Sequence, residues 1–508
     1  MNPIVAGELA LLLGTWRSGR GPLAARLGAG LVALADDRLL PPGTRLPTER
    51  ALATALGVSR STATAAYGHA QQAGRLERRQ GAGTWVRRPD AAAAGPDPGH
   101  LPGHLPGHLP GPAGGGSTGA FETLGRAVDG VVDLSLAETR CADHTRTLLA
   151  DLPAADPRWL LDRIDGTGYH PQGLPELREA VAVHLGGGSG GSGLRADDVL
   201  VTTGAQQAIS LCALALAAPG ATVLVEEASY PGALDAFRRA GLRVLPVPTD
   251  ERGPDPDALA DLVARTRPAL AYLIPVGNNP TGVVTPGERL DRIAEVLARS
   301  GVVVLEDRTA APLADPARVP APLSVRLPAG AAVTIGSTSK VAWAGLRTGW
   351  AVAPPRLLRE LLAARLATDL AGSLVSQALA VQVLPRLEVL ARAVRADVAA
   401  RQQVLADALA RHLPAWDGLP PAAGAWRWVR VPGDARLVAR AALAEGVVVT
   451  PGPAFSPQGA LTDRLRLAAV ASPDVLAEGV RRLARAWDAT GGEHPRRRPD
   501  PGRDLLLI

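Results

Sequence analysis

The chain has 508 residues, of which 46% are hydrophobic, 20% are charged and 3% are aromatic, enough for more than one domain with a buried core. Its net charge of +5 is unevenly placed, because residues 1–90 contain twelve arginines and six acidic residues, and this predicts a polyanionic partner for that region. The two cysteines have no metal-binding spacing, and there is no signal-peptide pattern and no run of about 18 apolar residues. We therefore expect a cytoplasmic protein without a membrane segment.

The first predicted module spans residues 20–88 and contains a helix-turn-helix. Thr48 can cap a short helix that ends at Gly57, and Ser59 can cap a second helix. Two helices joined by three residues are typical of this motif, in which the start of the second helix meets DNA. The stretch 75–85 is predicted to form a β-wing.

Four blocks of this module follow one another in order. They are Leu-Pro-Thr-Glu-Arg at 46–50, Leu-Gly-Val-Ser-Arg at 56–60, Ala-Tyr at 66–67 and Gly-Ala-Gly-Thr-Trp-Val at 81–86. Together they resemble the winged helix-turn-helix of the GntR family of bacterial regulators, which implies double-stranded operator DNA as the partner. The residues expected at the DNA are Arg45, Arg50 and Arg60 by this resemblance, and Arg60, Ser61, Thr62 and Thr64 by their place at the start of the second helix.

Two points about this module stay open. The family often has another arginine where this chain has Thr64, which leaves the preferred DNA sequence undetermined. The alternative to a DNA-binding role is a solvated, arginine-rich helical domain.

Residues 89–120 are predicted to form a disordered linker. They contain three Gly-His-Leu-Pro repeats between 99 and 110 and a glycine run, a composition that cannot bury a core. The repeated histidines could bind a metal weakly, but the proline and glycine between them exclude a helical face, so we expect no metal site. Residues 491–508 are predicted to be a disordered tail.

Residues 125–490 are predicted to form an α/β body. Short hydrophobic runs at 199–202, 221–225, 269–274 and 302–305 alternate with helical patterns. This alternation predicts a mainly parallel sheet covered on both faces. From about residue 375, long helices and short strand-like runs at 427–431, 447–450 and 465–468 predict a smaller α+β subdomain.

Lys340 is the only lysine among 54 lysines and arginines. Arginine cannot form a Schiff base at neutral pH because its guanidinium stays protonated, whereas a desolvated lysine amine can. The alternative is a surface lysine that survived by chance.

Lys340 belongs to one of seven blocks that follow in order along the body. The blocks lie at 169–178, 203–207 (Thr-Gly-Ala-Gln-Gln), 230–232, 279–282 (Asn-Pro-Thr-Gly), 306–307, 337–347 (Ser-Thr-Ser-Lys, then Gly-Leu-Arg) and 465–467. They resemble the fold-type I aminotransferases, whose cofactor is pyridoxal phosphate. The resemblance implies a Schiff base between Lys340 and this cofactor.

The same resemblance implies roles for the other residues of these blocks. Asp307 would face the ring nitrogen, so that the ring can act as an electron sink, Asn279 would donate to the phenolate oxygen, and Tyr230 would lie on the ring. The phosphate would be held by the backbone of Gly204, Ala205 and Gln206 at a helix start, by the Ser337 hydroxyl and by the Arg347 guanidinium. Arg466 would bind the carboxylate of an amino-acid ligand.

Four of these residues have structural alternatives. Tyr230 could be a core residue, Arg466 could pair with a structural acid, Asn279 could serve as a turn former, and Asp307 could cap a helix. One position also departs from the family, because Thr309 stands where a tyrosine commonly bonds the phenolate oxygen. Its shorter side chain is expected to miss that contact and to weaken turnover.

The order of winged helix, linker and aminotransferase-like body resembles the MocR subfamily of GntR regulators. This implies a DNA-binding regulator that senses pyridoxal phosphate, or an amino-acid or amine ligand, and that forms a head-to-tail homodimer. Two alternatives stay open: an active aminotransferase with a fused DNA-binding module, and a regulator that has lost its cofactor.

Overall fold

The computed structural model describes residues 4–13, 16, 21–36, 40, 43–79, 83–87, 130–137, 143–150, 152, 167–186, 193–418 and 420–491. The predicted linker at 89–120 and the predicted tail after residue 491 lie outside the described residues. Contacts between Cα atoms divide the chain into two compact units. The first comprises Met1–Gly116, Arg436–Gly446 and Arg485–Gly492, and the second comprises the rest.

The amino-terminal part of the first unit is a winged helix-turn-helix. Its elements are α1 (Ala6–Leu13), α2 (Leu23–Asp36), α3 (Glu49–Leu56), α4 (Arg60–Gln72), β1 (Leu76–Arg79) and β2 (Gly83–Val86). The Thr48 hydroxyl accepts from the amide of Ala51 to cap α3, and Gly57 ends this helix in the left-handed conformation at φ 60°. The Ser59 hydroxyl caps α4 by accepting from the amide of Thr62. The predicted helix caps and the three-residue turn are therefore confirmed.

An apolar cluster holds these helices together. Leu27, Leu31 and Leu52 are fully buried in it, together with Ala66 of the second motif helix. A Cβ on Gly28 would lie 2.6 Å from the Cβ of His69, so this glycine allows α2 and α4 to pack closely. The start of α4 is thereby fixed on the surface of the unit.

The remaining elements follow in chain order. They are β3 (Val132–Asp133), α5 (Asp143–Ala150), α6 (Pro175–Gly186), β4 (Val199–Thr202), α7 (Ala205–Ala215), β5 (Thr222–Glu226), α8 (Pro231–Arg239), β6 (Arg243–Val247), β7 (Thr249–Asp250), β8 (Gly253–Pro254), α9 (Pro256–Thr266), β9 (Leu270–Leu273), α10 (Gly287–Ala298), β10 (Val303–Asp307), β11 (Ala332–Ser337), β12 (Gly349–Val352), α11 (Pro355–Thr368), α12 (Leu374–Val383), α13 (Leu387–His412), β13 (Trp426–Arg430), α14 (Ala435–Ala444), β14 (Val447–Val448), β15 (Thr450–Pro451), β16 (Arg464–Ala468) and α15 (Pro473–Ala489).

A seven-stranded sheet forms the centre of the second unit, in the order β4-β12-β11-β10-β9-β5-β6. Strand β12 is antiparallel to both neighbours, and the other pairs are parallel. Successive residues of β9 enter different apolar clusters, since Tyr272 lies in one and Ala271 and Leu273 lie in the other. Helices thus cover both faces, and the predicted mainly parallel α/β body is confirmed.

The smaller subdomain contains an antiparallel sheet in the order β13-β16-β15. The predicted runs at 427–431 and 465–468 correspond to β13 and β16, each shifted by one residue at its start. The predicted strand-like run at 447–450 contains two short strands. That run divides into β14, which pairs with β3, and β15, which pairs with β16.

One helical stretch in the described part of the chain, Leu374–His412, is long and apolar enough to cross a membrane by length and composition alone, with a hydropathy of 1.3. Core helices of globular proteins pass the same test. Here Leu387, Leu390 and Val394 of this stretch are buried in the main apolar cluster, and 44% of its most apolar window is buried. The stretch therefore contributes to the core of the second unit.

Candidate cofactor site and DNA-binding surface

The candidate cofactor residues meet at one edge of the central sheet, because the carboxyl ends of parallel strands lie on the same side. Gly204 lies after β4, Tyr230 after β5 and Asn279 after β9. Asp307 is the last residue of β10, Ser337 is the last residue of β11, and Lys340 lies three residues after β11. Since β12 is antiparallel to β11, its amino end lies at this edge too. That places Arg347, two residues before β12, beside the others.

Arg347 lies close to the start of α7. Gly204 is its N-cap, at φ 119°, and a Cβ there would lie 3.3 Å from Nη2 of Arg347. The glycine therefore allows the guanidinium to lie against the helix start, where backbone N–H groups of Ala205 and Gln206 point outward. Ser337 pairs with Gly349 across β11 and β12, and Gly349 packs directly on Gly204. A helix start and a guanidinium thus converge, close to Ser337, whose buried hydroxyl donates to the backbone oxygen of Thr348 at 3.1 Å.

Both carboxylate oxygens of Asp307 accept hydrogen bonds. The hydroxyl of Tyr272 donates to Oδ2 at 2.7 Å, and the backbone N–H of Thr309 donates to Oδ1 at 2.9 Å. Asp307 is only 6% exposed. The backbone bond makes Asp307 the cap of a short turn, and the carboxylate also stays at the sheet edge where a ring nitrogen would need it.

Tyr272 is a residue that the sequence analysis missed. It lies in β9, where its neighbours are aliphatic, and the chain has only 4 tyrosines. A tyrosine in an otherwise aliphatic buried strand is a signal in itself, because a buried phenol needs a hydrogen-bond partner.

Arg466 and Asn279 contact each other across the site. Nη1 of Arg466 donates to Oδ1 of Asn279 at 2.9 Å, and its Nη2 donates to the backbone oxygen of Ser135. The guanidinium carbon lies 4.9 Å from the ring centroid of Phe455. Since Asn279 uses its oxygen here, its Nδ2 group is the donor that a phenolate oxygen would require.

The loop that carries Asn279 is held by a buried carboxyl that the sequence analysis also missed. Asn278 donates to a carboxyl oxygen of Glu226, and the backbone N–H of Ile274 donates to the other at 3.2 Å. Burial raises the pKa of Glu226 to about 8, with a further contribution from the charge of Asp307, although its hydrogen bonds oppose the shift. Glu226 is the last residue of strand β5. Only its tertiary contacts reveal that it holds this loop.

Lys340 and Tyr230 also lie at this edge of the sheet. Nζ of Lys340 donates to the backbone oxygen of Ala137 at 3.0 Å. A Cβ on Gly232 would lie 2.6 Å from Cζ of Tyr230, so the phenol ring folds over this glycine. Tyr230 is half-buried, which leaves part of its ring uncovered at the site and part packed against the core.

The residues at this edge fit pyridoxal phosphate. The helix start at Gly204 suits a phosphate, and Asp307 suits a ring nitrogen. Two buried polar atoms at the same edge, Oγ1 of Thr309 and Oε1 of Gln206, have no hydrogen-bond partner within the described ranges. Buried polar atoms are normally satisfied, and the Thr309 hydroxyl could donate to a polar ligand at this edge.

The DNA-binding candidates fall into two groups. Arg45, Arg50, Arg60, Ser61 and Thr64 are exposed, whereas Thr62 is half-buried. The guanidinium of Arg45 lies 5.9 Å from the ring centroid of Trp85, so it belongs to the wing.

The hydroxyls at the start of α4 are largely engaged locally. Ser59 contacts the hydroxyls of Ser61 at 2.8 Å and Thr62 at 2.7 Å, and Thr64 donates to the backbone oxygen of Arg60 at 3.0 Å. The Arg60 side chain projects from this helix start as an exposed cation. It is therefore the strongest candidate for a base or phosphate contact.

Comparison with known families agrees with both units. Residues 131–483 match the model for aminotransferase class I and II, and residues 23–86 match the model for bacterial regulatory proteins of the gntR family. The chain belongs to the class I and II aminotransferase family. With the GntR-type domain in front, this aminotransferase-family chain has the MocR architecture that the sequence predicted.

Its relatives include both enzymes and regulators. The 2-aminoadipate transaminase of Thermus thermophilus is 37% identical over 331 residues, which cover 63% of this chain and 81% of that enzyme. The HTH-type transcriptional regulator TauR of Rhodobacter capsulatus is 29% identical over 479 residues, which cover 92% and 97% of the two chains. The similarity to this transcriptional regulator therefore covers 92% of the chain.

A solved structure gives the same fold. The α-aminoadipate aminotransferase LysN of Thermus thermophilus, complexed with N-(5'-phosphopyridoxyl)-L-leucine, has a TM-score of 0.65 at 32% identity and covers 73% of this chain and 96% of its own. The predicted fold class is confirmed, and pyridoxal phosphate is the cofactor expected of this fold.

The buried carboxyl of Glu226 predicts a pH-dependent stability. Because its pKa in the folded chain, about 8, lies above its ordinary value, the stabilisation is complete at acid pH and is lost as the pH rises through about 8. We expect E226Q to remove this loss, so that urea midpoints measured by tryptophan fluorescence at about pH 6 and about pH 9 converge. E227Q, at the adjacent half-buried position, is the control and should keep the wild-type pH dependence. Equal pH dependence in wild type and E226Q would contradict the assignment.

Proposed function

We propose that this chain is a transcriptional regulator that binds pyridoxal phosphate through Lys340 and senses the cofactor, or an amino-acid or amine ligand, in the cytoplasm. The observation that carries the proposal is the convergence of the only lysine with Asp307 and Arg347 at one sheet edge, in a chain that also has a GntR-type domain. The proposed division is a DNA-binding domain at 20–88, a linker at 89–120, a cofactor-binding domain at 125–490 and a tail at 491–508.

Each part of the site has a distinct task in this proposal. The phosphate would be held by the backbone at Gly204, Ala205 and Gln206, together with Ser337 and Arg347. Asp307 would hold the ring nitrogen, Asn279 would donate to the phenolate oxygen, and Tyr230 would lie on the ring. When bound, pyridoxal phosphate supplies an aldehyde for an amine and a ring that withdraws electrons. Lys340 would supply the amine, and its hydrogen bond to the backbone oxygen of Ala137 orients Nζ.

Arg466 is proposed to choose between classes of ligand. Its guanidinium would bind a carboxylate bidentately, and it donates to the backbone oxygen of Ser135 and to Oδ1 of Asn279. An amino acid would replace these weaker acceptors with a charged one, whereas a simple amine would leave them in place. An amino acid is therefore favoured as the effector.

Thr309 favours sensing over turnover. Its buried hydroxyl has no partner among the residues that the structure describes, and its side chain is shorter than that of the tyrosine common at this position. Asn279 then becomes the main donor to the phenolate oxygen, so control of the proton on the reacting nitrogen is weaker. An active aminotransferase with a fused DNA-binding module is the second candidate, favoured by the 37% identity to a transaminase.

Operator binding by this regulator is proposed to require a head-to-tail homodimer. Helix-turn-helix proteins read paired half-sites as dimers, and a ligand alters DNA affinity only if it binds one arrangement of the dimer better than another. Ligand capture at Arg466 would provide that difference in affinity.

The covalent link depends on the Lys340 amine. Purified protein incubated with pyridoxal phosphate should show visible absorbance that stays with the protein after gel filtration, and K340A should lose it. K340R is the matched control for charge, because arginine keeps the cation but cannot form the link, so it should lose the absorbance as well. Retention of the absorbance by K340R would refute the assignment of Lys340.

The DNA contact depends on Arg60. We expect R60A to weaken operator binding about tenfold to a hundredfold and to reduce the slope of log affinity against log salt by about 1, because one phosphate or base contact is lost. Fluorescence anisotropy with labelled operator DNA measures both quantities. R75A is the control, since Arg75 pairs with Asp36. An R60A protein with wild-type affinity and salt slope would exclude Arg60 from the interface.

Turnover separates the two candidate functions. A sensor should change the absorbance of the bound cofactor on addition of an amino acid and should yield no more than about one keto acid per chain, because weak proton control at Thr309 slows each cycle. Keto-acid production is measured over several hours with an added keto-acid acceptor. Sustained release of many equivalents per chain would establish the aminotransferase instead.

A further inference from the structure

A buried tyrosine lies directly behind the proposed ring-nitrogen carboxylate. In the parallel pair β9 and β10, Tyr272 is opposite Leu305, two residues before Asp307. Its hydroxyl reaches the carboxylate at the strand end, 2.7 Å from Oδ2. Tyr272 is fully buried, so water cannot take the place of this donor.

Packing fixes the direction of the Tyr272 hydroxyl. The phenol ring meets the ring of Phe237 edge to face, with centroids 5.6 Å apart. The surrounding apolar cluster includes Leu305 and Ile335 of the neighbouring strands. The hydroxyl therefore remains aimed at Asp307, and a hydrogen bond to an ionised group is stronger than one between neutral groups.

The charges around the pair keep the tyrosine protonated. Burial, and after it the charge of Asp307, raises the pKa of Tyr272 well above its ordinary value, with smaller contributions from Tyr230 and Glu226. Tyr272 is thus a permanent donor. Glu226 and Tyr230 are the other titratable groups that face it, and burial favours the neutral form of Glu226.

We propose that Tyr272 is a positioning residue that orients the Asp307 carboxylate toward the ring nitrogen of the cofactor. This inference rests on the proposed cofactor binding. Two donors, the Tyr272 hydroxyl and the backbone N–H of Thr309, stabilise the anion. Without the hydroxyl, Oδ2 would lose its donor in a buried site, and the carboxylate would turn away from the ring nitrogen.

The test compares two forms of the cofactor. Equilibrium dialysis of the full-length apoprotein measures the affinity for pyridoxal phosphate and for its 1-deaza analogue, in which carbon replaces the ring nitrogen. We expect Y272F to bind pyridoxal phosphate about tenfold more weakly than wild type, and to bind the analogue within about twofold of wild type. The analogue has no ring nitrogen for Asp307 to hold, so orientation of the carboxylate cannot affect its affinity.

The matched control is Y67F. Tyr67 is also a buried tyrosine, and its hydroxyl donates to the backbone oxygen of Pro47 at 2.8 Å in the winged-helix unit. Y67F should leave both affinities unchanged. An equal loss for both cofactors in Y272F, or no loss for either, would overturn the inference, since a role in packing alone would not discriminate between them. Failure of wild type to bind pyridoxal phosphate would instead refute the proposed function.

A second pair of variants covers the case in which Y272F does not fold. An asparagine at 307 carries no charge and has less need of the tyrosine donor, so the double variant Y272F/D307N should be recovered more readily. We expect it to bind pyridoxal phosphate within about twofold of the D307N single variant, because Tyr272 acts through the carboxylate. A further tenfold loss in the double variant would show that Tyr272 acts by another route and would refute the inference.

Discussion

Parallel pairing in the central sheet is the constraint on which the rest of the site depends. Because β4, β5, β9, β10 and β11 end on the same side, side chains separated by more than a hundred residues meet there without any loop having to cross the core. The antiparallel β12 adds the chain segment just before it to the same edge. One sheet order therefore positions Gly204, Asp307, Lys340 and Arg347 together.

Two buried carboxyl groups lie near this edge, and each is held by hydrogen bonds. Asp307 and Glu226 are almost inaccessible to solvent, and an unpaired buried carboxylate costs several kcal/mol. Each is therefore saturated by donors: Tyr272 and a backbone N–H for Asp307, and Asn278 and a backbone N–H for Glu226. Tyr272 donates from the neighbouring strand β9, and Ile274 and Asn278 donate from the segment that follows β9. The hydrogen bonds to Glu226 therefore also fix the loop that carries Asn279.

The two units differ in where their charged and polar groups lie, and this difference suits them to different ligands. The winged-helix unit has exposed arginines at a helix start, and the other unit has buried charged groups at a sheet edge. Exposed cations suit a polyanion whose affinity depends on salt, whereas buried charges suit a small ligand that must be recognised specifically. Thr309 lies beside the Asp307 carboxylate, and its backbone N–H donates to Oδ1 of Asp307 at 2.9 Å.

Local features could be predicted from the sequence, and contacts between distant segments could not. The helix caps at Thr48 and Ser59 and the mainly parallel α/β body follow from neighbouring residues and from composition. Composition also singles out Lys340 as the only lysine. Other contacts depend on strand order and register. They are the hydrogen bond from Tyr272 to Asp307, the hydrogen bond from Asn278 to Glu226, and the contacts of Arg466 and Lys340 with the backbone of residues 135–137. Sequence periodicity does not specify which strands are neighbours, so only the tertiary structure decided these contacts.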